Sequence, residues 1–123
     1  VAEEHDEVRD WAVIAARAAD DKQGRDVVIL EVGEVLAIAG YFVIASGNNA
    51  RQVRTIADEI EKQLADAGGP KPRRIEGLQE PKWVLMDYGD FVVHVFLQET
   101  REFYELERLW GDVPRVAWEA GAA

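Results

Sequence analysis

Asp87, Asp90 and His94 fall close together in two apolar runs of this 123-residue chain that meet at Gly89-Asp90, residues 83–96 (WVLMDYGDFVVHVF). Two carboxylates near a strand end can hold Mg²⁺, as nucleotide-transferring enzymes do. A spacing of three across a turn need not bring them together, because residues on one face of a strand are two apart. A hard cation also needs more oxygens than this pair supplies, and aspartate at a tight turn has a local backbone role. His94 can serve as a general base oriented by Asp87. No Ser, Thr or Lys stands with it in a nucleophile motif, and His5 lies in an acidic segment that adds nothing. A surface or interface histidine fits His94 equally well.

Two other groups carry possible chemistry. Ser46-Gly47-Asn48-Asn49 joins a strand-like run to a helix-like one, and backbone amides at such a junction can bind an anion. The chain has neither G-x-x-x-x-G-K-[ST] nor G-x-G-x-x-G, so a structural turn is the simpler reading. Arg51, Arg54, Lys71, Arg73 and Arg74 are the densest basic residues. With little aromatic interleaving they read as solvated surface rather than a single-strand nucleic-acid track. A formal net charge of −10 argues further against sliding contact with nucleic acid and is compatible with steering toward a basic protein.

The absence of cysteine excludes disulfides, thiolate metal sites and thiol catalysis. No apolar stretch is long enough for a bilayer, and the first residues are acidic where a signal peptide is basic. The expectation is a cytoplasmic protein without membrane contact. At 48% hydrophobic and 31% charged residues, residues 1–123 read as one globular domain with a real core.

Positioning these residues falls to a hairpin. Gly89 supplies the positive φ of a type II′ turn between two β-prone runs. That register pairs Tyr88 with Phe91, Met86 with Val93 and Val84 with Val95, an apolar face suited to a core. The other face pairs Asp87 with Val92, Leu85 with His94 and Trp83 with Phe96. Large aromatics mixed with a carboxylate and an imidazole have the composition of an interface hot spot.

Around the hairpin, helical spacing of Val8, Trp11, Ala12, Ala15, Ala18 and Ala19 predicts a helix over 3–21, stopped near Gly24. Strands are expected at 26–32 and 41–46, with a loop or poorly formed strand between. Val53, Ile56, Ala57, Ile60 and Leu64 stripe a helix that opens at an asparagine cap and ends at Gly68-Gly69-Pro70. A short strand is expected at 72–76. Phe103, Leu106 and Trp110 mark a last helix over 99–111. Residues 112–123 read as a loosely held tail, with Trp118 a candidate for docking. The alternation implies an α/β fold with a mixed sheet of about five strands and flanking helices.

YFVIASGN at 41–48, QVRTIADEI at 52–60, IEG at 75–77, the 83–96 run and REFYELERLW at 101–110 together resemble the ribosomal silencing factor family, also called Iojap-related proteins. The resemblance covers 26–111 and leaves the tail out. It implies a nucleotidyltransferase-like fold without catalytic machinery and without a cofactor. It implies binding to the large ribosomal subunit through large-subunit protein fourteen (L-fourteen), steric exclusion of the small subunit, translational repression when nutrients are short, and a homodimer when free. By motif it carries Trp83, Tyr88, Asp90 and His94 to the partner surface, and the face derived above adds Leu85, Asp87 and Phe96. Tyr88 falls on the opposite face in the hairpin register. Gly40 stands where the family has Asp, and Asn49 where it has Ser; Gly40 removes a possible carboxylate. A Mg²⁺-dependent nucleotidyltransferase using Asp87 and Asp90, and a ribosome-biogenesis factor bridging partners, are the competing readings.

Overall fold

The computed structural model describes residues 2–33, 39–104, 108 and 111–119. Its elements are α1 (Ala2–Asp21), β1 (Arg25–Glu31), β2 (Tyr41–Gly47), α2 (Ala50–Asp66), β3 (Arg74–Glu76), β4 (Trp83–Asp87), β5 (Phe91–Leu97) and α3 (Gln98–Tyr104). The strands form a five-stranded mixed sheet in the order β1-β2-β5-β4-β3. Only the central β2–β5 pair is parallel. A parallel pair needs a crossover, which α2 begins.

Strand alternation splits the sheet into two faces. Val27, Ile29, Tyr41, Val43, Ala45, Val84, Met86, Val93 and Val95 face α1 and α2 and form the main core. Ala12, Ala15, Ala16, Ala18 and Ala19 are all buried; their small side chains let α1 lie close to both α2 and the sheet. The five apolar residues of the α2 stripe are its buried residues. The opposite face carries a smaller cluster of Leu30, Val32, Ile44 and Phe96, flanked by Phe42 and Val113.

Local chemistry sets the ends of α2. The Asn49 side chain accepts from Gln52 N at 2.8 Å, while Gln52 Oε1 accepts from Asn48 N at 2.6 Å. This reciprocal cap satisfies orphan donors. Gly68, at φ +77, closes the other end. Gly69 N donates to Leu64 O and Gly68 N to Ala65 O, the paired bonds of a glycine C-terminal motif.

Two expectations change. The third strand begins at Arg74 rather than Pro72, since proline has no N–H for the ladder. The tail is held more firmly than a loose end. Glu31 N donates to Pro114 O and Val116 N to Ile29 O, Arg115 bridges Leu30, and the Trp118 indole N–H donates to Val27 O at 3.0 Å. The segment thereby covers the outer edge of β1, where unpaired backbone groups would otherwise face water. Of the last expected helix, 98–104 is helical; Leu106 and Trp110, the Phe103 side chain and most of the 33–40 connection lie outside the described residues. Among the described residues no helix is long and apolar enough to cross a membrane.

Candidate protein-binding face

The β4–β5 hairpin has the register its sequence implies: Trp83 pairs with Phe96, Leu85 with His94 and Asp87 with Val92. Gly89 sits at φ +86 in the turn. Asp87 Oδ1 accepts from Gly89 N at 2.8 Å, and Oδ2 lies 3.7 Å from Arg74 Nε. The carboxylate therefore shapes the turn and faces a guanidinium. Asp90 is exposed at the tip. Among the described residues no group of three or more His, Asp or Glu comes together as a metal cluster.

Trp83 is 38% exposed although it opens a sheet strand. Its ring lies against Phe96, with centroids 4.9 Å apart, and its indole N–H donates to His94 Nδ1 at 3.1 Å. Phe42 meets the imidazole edge-on at 4.8 Å. His94 is only 7% exposed, and burial pushes its pKa down to about 4. At neutral pH the ring is uncharged, so the indole bond at Nδ1 assigns the proton to Nε2. Neither nitrogen then offers a free lone pair, which removes His94 as a general base. Its role is to hold the tryptophan in place.

Beside Trp83 the segment 77–82 returns toward β4. Gly77 has φ +92, and a Cβ there would run into the Trp83 carbonyl. Arg54 grips this segment by donating to Leu78 O at 3.1 Å and Gln79 O at 3.3 Å. Leu78 is 38% exposed and, with Trp83, makes up the exposed large hydrophobics among the described residues. Toward the turn lies a recess of about 280 Å³ whose lining includes Phe42, Leu85, Val92 and His94 together with Arg74 and Asp87.

The structure thus brings Trp83, Leu85, Asp87 and His94 onto one face. Phe96, expected as a surface contact, is fully buried and supports the indole from beneath. Tyr88 lies on the helix-covered face, stacked on Phe91 at 4.7 Å, so it does not join Trp83. The Asn48–Asn49 turn is consumed by capping rather than left open for an anion. The basic residues disperse: Arg54 holds the 78–79 segment, Arg73 lies over Gly89, and Arg74 faces Asp87.

Two contributors were missed. Leu78 sits in a loop with no periodicity to mark it. Arg101 is buried and donates to Ser46 Oγ at 2.8 Å, fixing α3 over one end of this face. Nothing in its sequence surroundings distinguished it from the exposed charges nearby.

Residues 5–122 match the family described as "Ribosomal silencing factor during starvation". The chain is 48% identical over 101 residues to the ribosomal silencing factor RsfS of Bacillus subtilis, covering 82% of this chain and 85% of that one. It is 35% identical to the mouse mitochondrial assembly of ribosomal large subunit protein 1, covering 72% of this chain and 40% of that one. A crystal structure from Chromobacterium violaceum superposes with a TM-score of 0.79 at 32% identity, covering 94% of both chains.

Proposed function

This chain belongs to the ribosomal silencing factor family, and from that premise we propose that it represses translation by docking on the large ribosomal subunit. The docking partner is the basic protein L-fourteen, and the bound domain occupies space the small subunit needs. The action is binding and occlusion rather than catalysis, and the free protein pairs as a homodimer in the cytoplasm. The observation that carries this reading is Trp83, exposed yet locked by His94 and Phe96. A rigid, amphipathic aromatic at the surface is the kind of anchor that dominates protein interfaces. The protein's net charge of −10 favours encounter with a basic partner more than it adds affinity.

Co-sedimentation with purified large subunits tests this. Binding by the wild type and loss of binding by Trp83→Ala support the reading; equal binding by both places the contact elsewhere.

One observation favours a second reading, a role in assembling the large subunit: the mouse relative is named for that process. Preferential sedimentation with precursor rather than mature large subunits would identify it.

A further inference from the structure

The connection between β3 and β4, residues 77–82, is pinned at three places. At its start the Gly77 backbone lies against the Trp83 carbonyl, where a Cβ has no room. At its end Pro81 is buried and Lys82 O accepts from Leu97 N at 2.8 Å. Between these, residues 78–80 are exposed, and exposed loop backbone bonded only to water opens readily. Here the third pin is Arg54, whose Nε donates to Leu78 O at 3.1 Å and whose Nη2 donates to Gln79 O at 3.3 Å.

Arg54 belongs to α2, whose buried stripe packs on the helix side of the sheet. Its neighbours Val53 and Ile56 are fully buried, so the core fixes the point from which Arg54 reaches. The rigid fork of a guanidinium meets two successive carbonyls and so sets the position of the 78–79 peptide. Exposed bonds of this kind add little to global stability. What they determine is where Leu78, 38% exposed, stands relative to Trp83. A side chain presented in one position loses less freedom on meeting a partner than one carried by a loose loop.

We propose that Arg54 is a positioning residue for docking: from α2 it holds Leu78 in place as a second apolar contact alongside Trp83. This rests on the docking reading above and adds to it a residue outside the binding face that acts through the 77–82 connection. The partner in that reading is basic, so loss of a positive charge from this chain does not by itself weaken encounter. Weaker binding without Arg54 therefore reports the lost hold on the loop.

The test compares wild type with Arg54→Met, which removes the donors, and Arg54→Lys, which keeps the charge and loses the fork. In the free ¹⁵N-labelled full chain, the heteronuclear NOE of the Leu78, Gln79 and Glu80 amides should fall in Arg54→Met. Val84 and Met86 should hold theirs, and the urea midpoint should stay unchanged. Co-sedimentation with purified large subunits should show affinity about threefold weaker in Arg54→Met, within the roughly fivefold loss expected of Leu78→Ala, and an intermediate loss in Arg54→Lys. In a Leu78→Ala background Arg54→Met should cost nothing further, because both act through one contact. Unchanged NOE values, wild-type affinity in Arg54→Met, or losses that add in the double variant overturn the proposal. Trp83→Ala separates the two levels. Weak binding by Trp83→Ala with normal binding by Arg54→Met removes only the role of Arg54, whereas normal binding by Trp83→Ala removes the docking reading and this proposal with it.

Discussion

The indole N–H of Trp83 donates to Nδ1 of His94 at 3.1 Å, across neighbouring strands. A side chain free to sample rotamers would lose that freedom on meeting a partner. Here the indole is already fixed by its bond to a buried neutral imidazole and by the Phe96 ring packed against it.

Burial of that imidazole makes the fold sensitive to acid. The folded pKa of His94 is about 4, below the unfolded value near 6.5. The unfolded chain therefore binds the extra proton first as pH falls. The stability tied to the neutral ring is complete above about pH 6.5 and is lost as pH drops toward 4, by at most about 3 kcal/mol. Urea unfolding of wild type and His94→Phe at pH 7 and pH 4.5 checks this. The wild type should lose more stability than the variant across that interval, because the variant lacks the titrating group while the carboxylates remain common to both.

Trp83→Ala should reduce affinity for large subunits by about 2 kcal/mol or more, the range of an interface anchor. Leu78→Ala should cost less, about 1 kcal/mol, since its side chain has no comparable support. Both variants should keep cooperative melting. Tyr88→Phe should leave subunit binding unchanged, because its ring faces the helices. Parallel sedimentation of the three variants provides the comparison.

Gly77→Ala should damage both stability and binding. Its φ of +92 is a conformation that side chains rarely adopt, and an added Cβ meets the Trp83 carbonyl. A loss of about 2 kcal/mol or more is expected in urea unfolding, together with weaker subunit binding as the 77–83 segment shifts.

Asn49→Ala removes the acceptor that holds Gln52 N at 2.8 Å. Unfolding should become easier by about 1 kcal/mol, with subunit binding unchanged, because the cap touches neither Trp83 nor its supports His94 and Phe96. Chemical denaturation and sedimentation of the same preparation separate the two effects.

Much of this arrangement was legible from residue order. The tight turn at Gly89-Asp90 between two β-prone runs gave the hairpin register, and a slip by one residue would turn Met86 and Val93 outward. The α2 stripe was equally plain. Strand order was not legible, since alternation records which face a residue takes and not which strand lies beside it. Trp118 was a candidate for docking and does dock on β1, but the backbone pairing of 114–116 with β1 escaped for a related reason: an isolated bridge spans too few residues to leave a period. Within the site, Trp83 and His94 were recognisable as cross-strand neighbours of interest. The full burial of Phe96 and the exposure of Leu78 depend on tertiary cover that no local pattern encodes.

The most direct measurement is sucrose-gradient sedimentation of separated small and large subunits, mixed under joining conditions with and without this protein. The account expects joined particles to diminish as the protein is added, with the protein travelling alongside the large subunit, and Trp83→Ala to leave joining intact. Undiminished joining with the wild-type protein bound to the large subunit would contradict it.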